Sequence, residues 1–330
     1  MTRISIGISR SDKLFVQSKT SYPYFVKIGE AKNIKREDSK YGQAARKIPA
    51  LSIPPKEILL EDKINNVALI SFRYVTGSHR QDNPASLFYH YQSMDVYDVM
   101  SLIDDLFHAV LHDFHSFRTA KYESHEVPSL DESIFKNDRR DESLNKMVEK
   151  YNNFVSRDLR YISAIGPIHG DLHTENILVG RYDNPILIDF EMSLQDNCLL
   201  KDFAEFEIAL LLAVATTSFD EIEDEVSAFY KNRLIFGLGG IGKFPSSASR
   251  IRANLCESLS EMCRARGLDM PGVFREAAIV YRIYLLRYLC FYARIANLNQ
   301  TGMIRRGIIS LFEDVFNILY ERLPAEPKLI

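Results

Sequence analysis

The sequence predicts an α+β protein with two lobes, a small strand-rich N-terminal lobe and a large, mainly helical C-terminal lobe. Short β-branched or aromatic runs bounded by turn residues occupy much of the first 75 residues. From about Asp95 onward, apolar residues recur at spacings of three and four, which is typical of helices that bury one face. The chain has 330 residues, 46% of them hydrophobic, so it can bury a large core.

The composition argues against several classes of protein. The formal net charge of -3 provides no broad basic field, so we expect neither a nucleic-acid nor a membrane partner. The four cysteines lack the paired spacing of a zinc site and are expected to be reduced structural thiols. The N-terminus lacks the apolar stretch of a signal peptide, and no apolar run is both long and uncharged enough for a membrane span. A cytoplasmic location is therefore expected.

Four short runs near the N-terminus predict β-strands. Each is rich in β-branched or aromatic residues. The runs are 4–7, 13–18, 24–28 and 67–75. Between the last two, Asn33 can cap a helix that continues to about Lys47 and carries Glu37 on its apolar face. Because a carboxylate buried alone is costly, an inward-facing Glu37 needs a cationic partner.

The rest of the chain is predicted to be mostly helical. Continuous apolar stripes cover 96–114 and 144–155, and the polar segment 118–142 between them is predicted to be an exposed connection or a mobile lid. Further helical periodicity covers 203–214, 226–234, 251–262, 274–296 and 303–323. A strand-rich part followed by a helical part predicts two lobes of unequal size.

Two short motifs carry the chemistry. The segment HGDLHTEN at 169–176 and the segment IDFE at 188–191 place two carboxylates and an amide close together in the sequence. Phosphoryl transfer needs an oriented hydroxyl, neutralised phosphates and a bound metal more than it needs covalent catalysis. Because Mg²⁺ prefers carboxylate and amide oxygens, Asn176 and Asp189 are the predicted ligands. Asp171 is the predicted catalytic base.

The residues between the two motifs predict a β-hairpin. Two short apolar runs, 177–179 and 185–188, flank the turn region 180–184. Since the strands of a hairpin run side by side, Asn176 before the first and Asp189 after the second are expected to lie close together. Shared metal coordination requires this proximity.

The same residues carry a family resemblance. HGDLHTENILV followed by ILIDFE resembles the catalytic motif and metal loop of the aminoglycoside phosphotransferase and choline kinase superfamily. The resemblance implies a bilobal protein-kinase-like fold that uses ATP and Mg²⁺, with Asp171 as base and Asn176 and Asp189 as metal ligands. It also places His169 in the catalytic machinery as a structural or orienting residue. Asp202, at the start of the following helix, would brace the catalytic loop.

The resemblance also divides the chain. Residues 1–77 would form the N-terminal ATP-binding lobe, with a hinge at about 72–78, and residues 78–330 the helical lobe that carries the catalytic and metal loops. Adenine is expected to lie against the hinge near Tyr74, where backbone groups provide recognition. The loop that covers the phosphates would begin at Gly7. It departs from the glycine-rich pattern, so the hydroxyl of Ser9 or Ser11 would replace close backbone contacts.

A lysine on the third predicted strand completes the implied nucleotide site. The run FVKI places Lys27 where kinases carry the lysine that contacts the ATP phosphates. Glu37 is its expected partner. The gap of ten positions between them is short for the family, which leaves Glu30 and Glu57 as alternatives.

The sequence differs from protein kinases at informative positions. Gly170 stands where they carry arginine, Glu191 where they carry glycine, and no Ala-Pro-Glu element follows, so an activation-loop switch is not expected. The triplet Asp-Phe-Glu instead resembles small-molecule kinases. The segment 201–207 has a looser likeness to phosphotransferase-like domains of bacterial multi-protein conflict or signalling systems.

These observations predict an ATP- and magnesium-dependent phosphotransferase that acts on a hydroxyl of a small molecule. Two alternatives remain open: a kinase-like binding or regulatory module without turnover, and an enzyme of the same fold that modifies a partner protein by phosphoryl or nucleotidyl transfer. His108, His112 and His115 have helical spacing but no completing carboxylate or thiol at a matching interval, so they are interpreted as helix-face histidines rather than zinc ligands.

Overall fold

A computed structural model describes residues 2–3, 12–16, 24–73, 86–130, 142–156, 160–180, 183–231, 242–299 and 302–322. In these residues an antiparallel sheet forms the N-terminal part and helices form most of the remainder, as the sequence predicts. Residues 74–78 of the predicted hinge lie outside the described ranges. The boundary between the two lobes therefore stays a prediction.

The N-terminal sheet contains five strands in the described residues. They are β1 (Thr2–Arg3), β2 (Asp12–Val16), β3 (Tyr24–Glu30), β4 (Lys56–Asp62) and β5 (Val67–Arg73). Their spatial order is β1-β2-β3-β5-β4, and every neighbouring pair is antiparallel. The predictions for β2, β3 and β5 are confirmed within about two residues, the predicted strand at 4–7 lies outside the described residues, and β4 was not predicted.

Helix α1 (Ala31–Ala44) packs on this sheet but does not start at the predicted cap. Asn33 lies inside the helix, and the residue at the cap position is Glu30, the last residue of β3. The backbone N–H of Ala31 donates to the carbonyl of Asn66 at 3.0 Å. The turn between β4 and β5 thus satisfies one of the first helical donors, and no side-chain cap is needed. Glu37 is buried with the apolar face, as predicted.

The helical part begins with short segments. They are α2 (Leu87–Ser93), α3 (Val96–Asp104), a π-helical turn (Asp105–Val110), α4 (His112–His115) and a 3₁₀ turn (Phe117–Thr119). Longer helices follow: α5 (Glu142–Val155), α6 (Leu200–Lys231), α7 (Lys243–Arg266), α8 (Met270–Asn299) and α9 (Gly302–Arg322). No helix in the described part of the chain is long and apolar enough to cross a bilayer.

Two smaller sheets lie between these helices. β6 (Lys121–Glu126), β7 (Arg160–Ile168) and β10 (Leu194–Cys198) form an antiparallel sheet in the order β10-β7-β6. The prediction that 118–142 is only a connection or lid is therefore wrong for β6. Its sequence KYESHE has polar residues on both faces, so its position in the sheet follows from backbone pairing with β7 rather than from a hydrophobic pattern.

The predicted hairpin is confirmed as the second small sheet. β8 (Ile177–Val179) pairs with β9 (Pro185–Leu187) in an antiparallel register, with Ile177 opposite Leu187. Both strands are buried. The hairpin is held against the N-terminal part by a bond from the Leu187 N–H to the carbonyl of Ser52 at 2.9 Å.

A buried ion pair lies in the core of the helical part. Glu207 on α6 accepts two bonds from the Arg252 guanidinium on α7, at 2.9 and 2.6 Å, and one each from the hydroxyls of Tyr230 and Tyr281 at 2.9 Å. Arg252 also lies over the Phe229 ring. Because every charge is paired and hydrogen-bonded, this polar cluster joins three helices without leaving a buried charge unsatisfied.

We predict that Glu207→Ala destabilises the protein by about 3–5 kcal/mol, because Arg252 would be left buried without its counter-charge. Chemical denaturation at neutral pH measures the loss. Glu142→Ala, which removes an exposed pair with Lys146, is the control and should leave the midpoint almost unchanged. Equal effects of the two substitutions would contradict this role for the buried pair.

Candidate active site

The segment 169–176 forms a tight loop between β7 and a 3₁₀ turn (Thr174–Asn176). Gly170 has a φ of +82°, and a Cβ at this position would lie 2.4 Å from the carbonyl oxygen of Met192. Any side chain here would collide with the backbone of the metal loop. This explains the glycine that distinguishes the sequence from protein kinases.

The first turn and a half of α6 holds this loop by its backbone. Asp202 accepts from the N–H groups of His169 at 2.7 Å and Gly170 at 2.9 Å, which confirms its predicted contact with the loop. Lys201 donates to the carbonyl of Gly170 at 2.9 Å. Glu205, one turn further along, accepts from the N–H of Leu172 at 3.2 Å. These contacts fix the backbone on both sides of Asp171.

Sequence reasoning missed Lys201 and Glu205. Their spacing contains a usable signal, since positions 201, 202 and 205 are polar and lie on one face at the start of a helix. Glu205 also accepts from the Tyr288 hydroxyl at 2.9 Å, which links α8 to the loop. Burial raises the pKa of Glu205 to about 8. The charge of Lys201 opposes this shift, and the charges of Asp171 and Asp202 add to it.

His169 and His115 are both buried, and both take part in the hydrogen bonds around the catalytic loop. His169 is fully buried, and its Nε2 bonds the carbonyl of Ile188 at 3.0 Å, so it joins the catalytic loop to the strand that leads to Asp189. Burial lowers its pKa despite the nearby carboxylates, which favours the neutral ring. This buried and hydrogen-bonded position is what the predicted structural or orienting role of His169 requires. His115 bonds Asp202 at 2.9 Å, while His108 and His112 face Glu257 and Glu261 separately.

The predicted base Asp171 is partly exposed. Its side chain is 37% accessible, whereas that of Asn176 is buried. The Asn176 Nδ2 donates to both the carbonyl and the carboxylate of Asp171, at 2.9 and 3.1 Å, and thereby orients it. Burial alone would raise the pKa of Asp171, but the interaction with His173 outweighs it and lowers this pKa. The carboxylate is therefore ionised at neutral pH.

Lys27 is buried among carboxylates that come from two separate parts of the chain. Its Nζ lies 2.6 Å from Glu37 on α1 and 2.9 Å from Asp189 in the metal loop. Burial lowers the pKa of Lys27, but these two charges outweigh it and raise the pKa. Glu37 is thus the partner that the sequence favoured. The alternatives lie elsewhere, because Glu57 pairs with Arg73 and Glu30 accepts from Asn33.

The metal loop begins at a strained residue. Asp189 has a φ of 64°, a left-handed conformation that few residues other than glycine adopt. It follows Ile188, whose N–H donates to the carbonyl of Asn176 at 3.0 Å. The hairpin therefore brings the backbones of Asn176 and Asp189, the two predicted metal ligands, close together.

Glu191 adds a third carboxylate that the sequence did not assign to the site. One oxygen each from Glu37, Asp189 and Glu191 lie within 4.8 Å of one another. Lys27 lies beside all three, 4.0 Å from Glu191. Arg36 on α1 pairs with Glu191 at 3.0 Å, and Lys40 donates to its carbonyl at 2.6 Å. Helix α1 and the metal loop are therefore joined at several points.

Three of the predicted contacts with the nucleotide involve residues outside the described ranges. Gly7 and Ser9 of the phosphate-covering loop and Tyr74 of the hinge lie outside the described residues. The described part of the site therefore consists of the lysine, its carboxylate partners, the catalytic loop and the metal loop.

Comparison with known families agrees with this geometry. The profile described as "Phosphotransferase enzyme family" matches residues 1–199, and the profile described as "Ternary complex associated domain 9" matches residues 148–319. Each match spans more than half of the chain. The protein therefore belongs to the phosphotransferase enzyme family and also to the ternary complex associated domain 9 family, and its predicted membership of the aminoglycoside phosphotransferase and choline kinase superfamily is confirmed.

Two solved structures are similar to this chain, and the first of them shows the fold. A protein from Ralstonia eutropha JMP134, assigned as an aminoglycoside phosphotransferase, superposes with a TM-score of 0.51 at 10% identity and covers 97% of this chain and 92% of its own. A thermostable mutant of the aminoglycoside phosphotransferase APH(4)-Ia has a TM-score of 0.47 at 11% identity, with 97% and 94% covered. None of the curated proteins matches the sequence. The predicted kinase-like fold is confirmed.

We predict that Gly170→Ala destabilises the protein by about 1–3 kcal/mol or more, because it combines an unfavourable φ with a backbone collision. Gly267→Ala is a matched control, since Gly267 has a φ of +63° but no atom within 4 Å of the added Cβ. Denaturation of both variants separates the two causes. If Gly267→Ala loses as much stability as Gly170→Ala, the collision with Met192 is unimportant.

We predict that Glu205→Gln reduces the dependence of stability on pH. The folded pKa of about 8 lies above the ordinary value of 4.5. This group therefore contributes stability that is complete below the unfolded pKa and is lost as pH rises through the folded pKa. In the window between the two pKa values, its contribution falls by up to about 1.4 kcal/mol per pH unit.

The free energy of unfolding, measured by denaturation at pH values from about 5 to about 9, should therefore decline more steeply with pH for the wild type than for Glu205→Gln. Glu257→Gln, at an exposed carboxylate, is the control and should keep the wild-type slope. Parallel curves for the wild type and Glu205→Gln would show that Glu205 does not titrate in this way.

Proposed function

We propose that the protein transfers the γ-phosphoryl group of ATP to a hydroxyl group of a small molecule, with Mg²⁺. The observation that carries this proposal is the position of Lys27, which contacts Glu37 and Asp189 at once, together with the oriented carboxylate of Asp171. A fixed ammonium, a metal-binding carboxylate and a base are the parts that phosphoryl transfer requires. Membership of the phosphotransferase enzyme family supports the same reaction class.

The donor atoms fit magnesium. Asp189 offers a carboxylate, and Asn176 turns its Nδ2 toward Asp171, so its amide oxygen faces the other way. Hard oxygen ligands of this kind suit Mg²⁺, which also keeps several waters. Held by Asp189 and Asn176, the ion would neutralise charge on the phosphates. We assign Lys27 to the phosphates as well, with Glu37 as the residue that keeps its ammonium in place.

Asp171 would act on the acceptor. Its exposed carboxylate can accept a hydrogen bond from the incoming hydroxyl and take its proton as the oxygen attacks the phosphorus. The lowered pKa keeps this group ionised but makes it a weak base. Orientation of the hydroxyl is therefore its main contribution, and Asn176 and His173 fix the carboxylate for that task.

The proposed organisation is an ATP-binding lobe of residues 1–77 and a helical lobe of residues 78–330, in a cytoplasmic protein. Two observations support a small molecule as the acceptor. The Asp-Phe-Glu triplet resembles small-molecule kinases, and the chain belongs to the phosphotransferase enzyme family. The identity of the acceptor depends on helices and connections beyond the catalytic loop, which differ between members of such folds.

A second candidate is a kinase-like module that works within a protein complex. The specific observation is the match to ternary complex associated domain 9, which includes the catalytic and metal loops. In that case the phosphoryl acceptor is a partner protein, or nucleotide binding alone regulates assembly. The intact base and metal ligands favour turnover over binding without turnover.

We predict magnesium-dependent conversion of ATP to ADP by the wild type, with loss of about 10²-fold or more in kcat for Asp171→Asn and for Asp189→Asn. Asp113→Asn is the control, since Asp113 is exposed and distant in sequence from the catalytic and metal loops. A coupled ADP assay with pooled hydroxylated metabolites measures turnover. Thermal shift with ATP, with and without Mg²⁺, measures binding separately.

Binding of ATP without ADP or product, across a broad panel of acceptors, would overturn the enzyme proposal in favour of a binding module. Intact-mass spectrometry of partner proteins distinguishes the acceptors, because an added phosphoryl or nucleotidyl group on a protein would overturn the small-molecule assignment.

A further inference from the structure

An apolar strand is exposed at one edge of the N-terminal sheet. Among the described residues, β4 is the last strand in the order β1-β2-β3-β5-β4, and all seven of its residues are exposed. Its centre is a run of three large apolar side chains, Ile58, Leu59 and Leu60, with accessibilities of 48%, 37% and 59%. An edge strand that presents both unpaired backbone groups and apolar side chains is suited to pairing with another chain.

The usual protections of a sheet edge are confined to the ends of β4. A β-bulge lies between Lys56 and Ile58, and charged residues occur at 56–57 and 61–63. Bulges and edge lysines are common devices that prevent strand addition. Neither occurs at the three central residues. The centre of the strand is therefore accessible, and its ends restrict which strand can pair there.

We propose that β4 pairs with β4 of a second copy of this chain, antiparallel about a two-fold axis at Leu59. The segment 56–62, KEILLED, has three apolar residues centred on Leu59 and two charged residues at each end, so its apolar and charged positions follow the same order in both directions. A two-fold interface requires such self-complementarity, since each copy presents the same surface to the other.

Backbone geometry limits the possible registers. Along a strand, every second residue directs its N–H and C=O groups outward, and outward residues must face outward residues of the partner. The two-fold axis must therefore pass through a residue rather than between two residues. An axis at Leu60 would place Leu59 opposite Glu61. An axis at Leu59 places Leu59 opposite itself and Ile58 opposite Leu60, so apolar residues face each other.

The charges agree with this register. The bulge interrupts the regular alternation before Ile58, so beyond the apolar centre the Lys56–Glu57 end of one strand lies beside the Glu61–Asp62 end of the other. Lys56 supplies a cation to each of these ends. Glu57 and Glu61 also meet there, but each of these carboxylates already has a cation from its own chain. Glu57 pairs with Arg73, and Glu61 pairs with Lys35 at 2.7 Å. The repulsion between the two glutamates is thereby reduced, since each pair carries little net charge.

Cysteine substitution tests the register directly. Residues directly opposite in an antiparallel pair have Cβ atoms about 4.5–5.5 Å apart, which is close enough for a disulfide after a small adjustment. We expect Leu59→Cys to form a covalent dimer under mild oxidation. Leu60→Cys is the matched control and should not, because its opposite residue is Ile58. A mixture of Ile58→Cys with Leu60→Cys should crosslink.

The wild type is oxidised in parallel, because the chain has four cysteines of its own. Crosslinking of Leu60→Cys with itself as efficiently as Leu59→Cys would overturn the register. The oligomeric state is measured independently by sedimentation velocity on the full chain, and a monomeric wild type at high micromolar concentration would overturn the proposal. In that case, β4 would be available to pair with a strand from a different protein.

Charge substitution supplies the second test. Leu59→Lys places two like charges opposite each other at the axis and should yield monomers, while an equimolar mixture of Leu59→Lys and Leu59→Glu should restore dimers. Ile64→Lys is the control, because Ile64 is 95% exposed in the turn beyond the strand and should leave the dimer intact. Melting temperatures confirm that each variant is folded. A dimer that persists in Leu59→Lys would place the interface elsewhere.

Discussion

The described site depends on one buried ammonium group. Lys27 lies between a carboxylate from α1 and a carboxylate from the metal loop, although these residues are 10 and 162 positions away from it in the chain. Burying a charge costs several kcal/mol unless partners compensate it, so the sheet, α1 and the metal loop must come together for any of them to be stable there. The same constraint fixes the ammonium group that we assign to the phosphates.

The catalytic loop depends on a different kind of support. Lys201, Asp202 and Glu205 hold its backbone rather than its side chains, so the loop conformation does not depend on the Asp171 side chain. Gly170 permits the close approach of the loop to Met192, and the neutral ring of His169 links it to the strand before Asp189. Asp171 therefore stands on a rigid backbone while its carboxylate remains partly accessible, which is the arrangement that positioning catalysis requires.

The two family matches overlap in the segment that contains the catalytic loop, the hairpin and the metal loop. The proposed chemistry and the proposed pairing of two copies use different strands of the N-terminal sheet. The exposed strand β4 lies at the far edge of a sheet whose inner strand β3 carries Lys27. Pairing at that edge would join two copies without covering the described site residues.

The sequence by itself determined the elements that local chemistry controls. The periods of its apolar residues predicted the fold class, the inward position of Glu37 and the hairpin between Asn176 and Asp189, and the spacing of carboxylates predicted the reaction class. It did not predict β4 and β6, whose polar or exposed side chains have no buried face to mark them, nor the start of α1, where Asn66 supplies a tertiary partner. Only the tertiary structure decided that Glu37, rather than Glu30 or Glu57, pairs with Lys27, and that Lys201 and Glu205 hold the catalytic loop. Those choices depend on distances between segments far apart in the chain, which burial and charge pairing settle only once the whole chain is packed.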